Sequence, residues 1–225
     1  MRIFISRVRL QCAAVGRTIS LAVALWVLAV AATPAYADNW YANALVRRSV
    51  EPPYRTQLDD SIYARSDCGP AVLAMVLADY GVDEDTLELR QLTHTYQGTW
   101  PAVRVGTALQ HMAHVAEDFG LATYGLYDPD ETFHQWSVDE IGTQVAAGRL
   151  VIPLVRFGLL PGHEDTGVRF GHYILLYAVE GDGFMFQDPA VRPIQDGRER
   201  WITRDQLARA MAPVWPPRQA LALGN

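Results

Sequence analysis

Apolar residues come in blocks along this chain, and the spacing within the blocks changes from one to the next. Between Cys68 and Tyr80 almost every position is apolar, with Ala71, Val72, Leu73, Met75, Val76, Leu77 and Ala78 in close succession. Asp67 stands where an N-cap is expected, Pro70 falls in the first turn and Gly81 marks the stop, so the block predicts a helix. A helix that is apolar on every side belongs inside a domain. Helical patterns follow at Asp83–His94 and at Val105–Asp118, the second closed by Gly120. Ser137 and Glu140 have capping-box spacing and predict a helix running to Ala147.

Strand-like runs dominate the second half, at Leu121–Tyr127, Leu150–Phe157, His172–Val179 and Phe184–Gln187. Gly181-Asp182-Gly183 separates the last two and signals a hairpin. Residues 158–171 read as a glycine-rich loop, and Thr203–Met211 as a final helix. Pro52-Pro53 forbids a helix in residues 38–56, which predict an extended lead-in. The prolines after Ala212 predict an irregular tail over residues 213–225, leaving residues 57–212 as the domain proper. Helices come first, strands later, and hairpins join them. The expected class is α+β, with an antiparallel sheet packed against the buried helix.

The N-terminus changes the picture. Arg2, Arg7, Arg9 and Arg17 precede an apolar run at Ile19–Ala32, and Ala35-Tyr36-Ala37 follows it. That order is the build of a secretory signal peptide over residues 1–37. The run is about fourteen residues where roughly twenty span a bilayer. Cleavage is therefore expected, and an uncleaved anchor at residues 19–32 is the alternative and the only predicted route to a membrane. The expected location is secreted or extracytoplasmic. Removing the leader takes away four arginines and no acids, so a formal charge of −6 becomes −10. A domain that acidic offers no footing for a phosphate backbone, and no nucleic-acid partner is expected.

After cleavage a single cysteine remains, Cys68, because Cys12 lies in the leader. An unpaired cysteine in an exported protein is either inert in the core or kept for its chemistry. Its position argues for chemistry, since a helix N-terminus and a nearby imidazolium both favour the reactive thiolate. Among six histidines His172 is best placed: it follows Gly171 and opens a strand whose hairpin partner ends at Asp188. A catalytic imidazole needs a group to hold its tautomer, and Asp188 offers one. A tight turn at residues 181–183 would set Asp188 opposite residue 175 or 176, so contact with His172 requires a bulge or a wider turn. His163, beside Glu164 and Asp165, reads as a solvated loop histidine. His111 and His114 share a helix face at i, i+3 but lack an evident third ligand, so neither metal nor cofactor is expected. Trp100, Trp136 and Trp201 read as packing residues.

Gln57-Leu58-Asp59, then Asp67-Cys68-Gly69-Pro70-Ala71 running to Tyr80-Gly81, resembles the N-terminal signature of the C39-like, papain-fold cysteine peptidases. Gly171-His172-Tyr173-Ile174 through Gln187-Asp188-Pro189 resembles the second half of that signature. The resemblance spans roughly residues 54–212. It implies a papain-like fold, Cys68 as nucleophile, His172 as base and Asp188 as its orienting partner. Gln57 would be the oxyanion donor beside the Cys68 backbone N–H, although it lies eleven residues upstream, so the intervening loop must fold back. The implied partner is a peptide or protein substrate. Acyl transfer or amidase work on the same triad is a second expectation, and a non-catalytic peptide-binding domain a third. No transporter module or nucleotide-binding motif accompanies the domain, so leader-peptide processing does not follow.

Overall fold

A computed structural model describes residues 51–225; the expected leader, and the lead-in before residue 51, lie outside the described residues. Among the described residues, five α-helices and seven strands occur in the order α1 (Cys68–Asp79), α2 (Thr86–Tyr96), α3 (Leu109–Asp118), β1 (Ala122–Tyr124), α4 (Val138–Ala146), β2 (Leu150–Arg156), β3 (Gly171–Tyr173), β4 (Leu175–Glu180), β5 (Gly183–Gln187), β6 (Arg200–Thr203), α5 (Arg204–Met211) and β7 (Ala220–Gly224). One sheet runs β1-β7-β2-β4-β5-β6, with β3 also paired to β2, and every pairing is antiparallel. The expected α+β class is the observed one.

The sheet carries helices on both faces, and the side-chain alternation of its central strands shows why. Leu150 and Ile152 of β2, Leu175 and Tyr177 of β4, and Leu221 and Leu223 of β7 face α1, α2 and α3. Val151 and Val155, Ile174 and Leu176, and Ala220 and Ala222 face α4 and α5. Strands buried on both faces read as continuous apolar runs rather than alternating ones. α1 is the hub of the first layer: every residue from Gly69 to Leu77 is buried, as its uniform apolarity predicts. A Cβ on Gly69 would lie 2.8 Å from Met112 Sδ and 3.1 Å from Thr107 Cβ, so glycine lets α3 approach the first turn of α1. The Ser137–Glu140 capping box is formed as expected.

The tail requires correction. Residues 213–225 do not stay irregular, because β7 inserts between β1 and β2 and buries all five of its residues. The prolines 213, 216 and 217 end before it begins, and Ala220–Leu223 alternate small and large side chains to fit between two layers. The run His172–Val179 is likewise two strands, broken at Ile174: β3 pairs with β2, whereas β4 pairs with β5 and meets β2 at Leu176.

Candidate active site

Cys68 begins α1 and is half-buried. Asp67 occupies the N-cap position yet makes no capping hydrogen bond, contrary to expectation. Its carboxylate is taken by Arg90 of α2, a guanidinium with no exposed surface. Arg90 donates from Nη1 to Asp67 Oδ1 and to Ser66 Oγ at 3.2 Å, and from Nη2 to the carbonyl of Ala102 at 2.6 Å. It also lies over the Tyr63 ring, 4.3 Å from the centroid. One buried cation thus ties together the residues just before Cys68 and the loop near residue 102. Burial raises the Asp67 pKa to about 6, and Arg90 offsets this only in part.

His172 on β3 is fully buried, and its Nε2 lies 2.8 Å from Asp188 Oδ1. An ionised carboxylate only accepts, so Nε2 carries the hydrogen and Nδ1 is left for Cys68. Cys68 lies beside the imidazole, where its sulfur favours the protonated ring. Burial alone would lower the His172 pKa. The charge and hydrogen bond of Asp188, with the contact to Cys68, outweigh it and push the value up to about 10. Asp188 is also desolvated, but its two histidines and the Ala190 N–H hold its carboxyl well below the usual carboxylate range.

Register explains how Asp188 reaches His172. The hairpin turn is tight, pairing Glu180 with Gly183, with Gly181 at φ 58° in the position where a type II′ turn requires glycine. A bulge then shifts the pairing between Leu176 and Ala178, giving Leu175 opposite Gln187. Continued by one residue, Asp188 falls level with Ile174, which shares the parity of His172. Without the bulge it would fall level with Leu175 and point to the opposite face.

The Asp188 turn is held from outside by the lead-in. Tyr54 Oη donates to the Asp188 carbonyl at 2.9 Å, and the Gln57 N–H donates to the Pro189 carbonyl at 3.0 Å. Gln187 Nε2 donates to the Pro52 carbonyl at 2.7 Å. Burial first, then the nearby Asp188 charge, raise the Tyr54 pKa to about 12. Gln57 is buried beside this turn, and its side chain folds back onto its own loop, Nε2 donating to the Ala64 carbonyl at 2.7 Å. The structure therefore brings Cys68, His172 and Asp188 into one line and sets Gln57 at the backbone next to Asp188. One amide hydrogen of Gln57 is committed to the loop, and its Oε1 is buried without a partner.

His163 is not a solvated loop residue. It is buried, and its Nε2 lies 2.9 Å from Asp188 Oδ2. Its acidic neighbours Glu164 and Asp165 are exposed and mislead on this point; the contact that decides it is 25 residues away. Phe157 packs on both histidines, its ring centroid 4.1 Å from that of His163 and 5.1 Å from that of His172. Of the three tryptophans, Trp136 is buried, whereas Trp100 and Trp201 are each more than a third exposed. His111 and His114 lie ring to ring at 6.2 Å, and among the described residues no three His, Cys, Asp or Glu side chains converge as a metal site would need. A cavity of about 1030 Å³ adjoins the loop leading into Cys68, lined in part by Ile62, Ala64, Ser66, Val103 and Arg104.

A C39-like peptidase from Bacillus anthracis shares this fold, with a TM-score of 0.53 and 17% identity over 77% of this chain and 94% of that one. The double glycine motif protease of an AMS/PCAT transporter, solved in complex with the leader peptide, aligns with a TM-score of 0.47 and 18% identity over 78% of this chain and 92% of that one. The peptidase domain of Streptococcus ComA gives a TM-score of 0.42 and 17% identity over 71% and 90%. The fold assignment rests on the first of these. No curated protein sequence matches the chain. The sequence profile of the Peptidase_C39 like family matches residues 50–221, nearly the whole described region, and the chain belongs to that family.

Proposed function

We propose that this chain is an exported cysteine peptidase in which Cys68 is the nucleophile, His172 the base and Asp188 the group that orients His172. The observation that carries the reading is the buried imidazole of His172, hydrogen-bonded to the Asp188 carboxylate at 2.8 Å and influenced by Cys68 at the start of α1. With Nε2–H held by Asp188, Nδ1 takes the Cys68 proton, and the resulting thiolate attacks the carbonyl carbon of a peptide bond. The electron pair displaced onto oxygen forms an oxyanion at the start of α1, where the Cys68 backbone N–H and the remaining Gln57 amide hydrogen are the donors we assign to it. The Nδ1 proton passes to the leaving amine, the C–N bond breaks and an S-acyl enzyme remains. Water, deprotonated by His172, then hydrolyses it and restores the thiol.

Peptide is the substrate class that the family supports, and the cavity beside the loop at residues 58–66 is where we place one flank of the substrate. Export rests on the leader pattern of residues 1–37, and N-terminal sequencing of the secreted protein should begin at Asp38. The functional test is turnover of a peptide library by the mature chain, with and without an added amine. Cleavage that disappears in Cys68→Ala supports the peptidase. Products that carry the amine point to acyl transfer on the same triad. Saturable peptide binding with no turnover would contradict catalysis and leave a binding domain.

A further inference from the structure

Asp188 has more partners than a base-orienting carboxylate requires. It is fully buried. Oδ1 accepts from His172 Nε2 at 2.8 Å and from the Ala190 N–H at 2.9 Å, while Oδ2 accepts from His163 Nε2 at 2.9 Å. We infer that His163 is a positioning residue of the site: its Nε2–H pins Asp188 Oδ2 so that Oδ1 stays aimed at His172. This rests on the cysteine-peptidase reading above.

The carboxylate torsion of an aspartate is broad and nearly two-fold, so contacts on one oxygen leave the group free to rock. A donor on the second oxygen removes that freedom. His163 is built to supply it. Its N–H donates to the Leu160 carbonyl at 3.0 Å, and its own carbonyl accepts from Thr166 Oγ1 at 2.7 Å. Its ring is packed against Phe157, tilted by 35°, and the same Phe157 meets His172 edge-on at 89°. One phenyl ring therefore sets both imidazoles against one carboxylate.

His163 is not a second base, because its Nε2 is turned to Asp188, whereas it is His172 that Cys68 acts on. The other titratable groups around the carboxylate are accounted for. Tyr54 lies on the Asp188 backbone carbonyl, with Arg198 and Arg200 nearby, and Cys68 faces the far side of His172.

The test reads Cys68 itself and needs no knowledge of the substrate. Alkylation by iodoacetamide is followed in the wild type, His163→Leu and His163→Gln. Each rate near pH 6 is divided by that protein's own rate above about pH 9, where any accessible thiol has ionised. Rates are compared only for variants that circular dichroism shows to be folded at both pH values, and the ratio then cancels changes in access, which a merely packing role would alter. Loss of one hydrogen bond to a charged group should lower the ratio about tenfold in His163→Leu, and His163→Gln, which keeps an N–H at similar reach, should restore most of it. If His163→Leu does not fold, His163→Asn, whose amide is too short to reach Oδ2, replaces it with the same expectation. An unchanged ratio in the folded Leu or Asn variant overturns the inference and leaves the peptidase reading standing, and equal losses in the Leu and Gln variants do the same. A wild-type enzyme whose Cys68 labels near pH 6 no faster than an unstructured cysteine overturns the peptidase reading, and this inference with it.

Discussion

Replacing Arg90 by methionine should be among the most damaging single changes outside the catalytic line, and the damage should depend on pH. Both members of the pair it breaks are buried, with side-chain exposures of 0% for Arg90 and 2% for Asp67. Removing one partner of such a pair leaves an uncompensated charge, which typically costs about 3–5 kcal/mol. Asp67 need not stay charged, and that sets the pH dependence. Its pKa is already raised to about 6 with Arg90 in place, because burial is the largest influence. Without Arg90 it rises further. A carboxyl whose folded pKa exceeds its unfolded value binds more protons when folded, so the stability it contributes is lost as pH rises from about 4 through the folded value. Arg90→Met should therefore cost least at pH 5, where Asp67 is protonated, and most at pH 8. At about 2–4 °C per kcal/mol for a domain this size, the melting temperature at pH 8 should fall by about 10 °C. Adding Asp67→Asn should recover much of the loss and abolish the pH dependence. Thermal melts followed by circular dichroism at the two pH values check this. A cost below about 1 kcal/mol, equal at both pH values, would refute the argument that Arg90 neutralises a buried carboxylate.

Four further outcomes follow from the same structure. Asp188→Asn should leave the fold intact and slow Cys68 alkylation near pH 6 by at least about tenfold, because His172 loses the charge that raises its pKa. In the wild type the stability from that raised His172 is complete below about pH 6.5 and lost as pH climbs towards about 10; melts across this range should show the decline, and Asp188→Asn should flatten it. Deleting residues 220–225 should abolish cooperative unfolding, since it strips β7 from the sheet interior together with Leu221 and Leu223, each worth about 1.5–3 kcal/mol of burial; a truncated chain that melts normally would contradict the topology. Gly69→Ala gains about 1 kcal/mol of helix propensity but must displace Met112 and Thr107 at about 1–3 kcal/mol, so a net destabilisation is expected in urea titration.

How much of this is legible in the sequence depends on how local the cause is. The buried helix is legible because apolarity on every side has one physical outcome, and the capping box at Ser137 because its two bonds span three residues. The pairing of His172 with Asp188 is legible as a need but not as a geometry, since it hangs on a bulge near Tyr177 that no residue type announces. β7 is hidden behind prolines that end just before it. Arg90 looks like a surface residue of an amphipathic helix until Asp67, 23 positions away, is brought to it. His163 is hidden in the same way by charged neighbours that face solvent while it faces Asp188. Gln57 illustrates both sides: its loop does fold back, and the side chain itself helps to fold it by bonding Ala64.

The central claim is that Cys68 is activated by a buried His172 that Asp188 holds. The rate of Cys68 alkylation near pH 6, in the wild type and in His172→Ala, with the adduct mapped by mass spectrometry, tests it most directly. The account predicts rapid labelling confined to Cys68 and a loss of at least about tenfold in the variant. Slow labelling that His172→Ala leaves unchanged would contradict it.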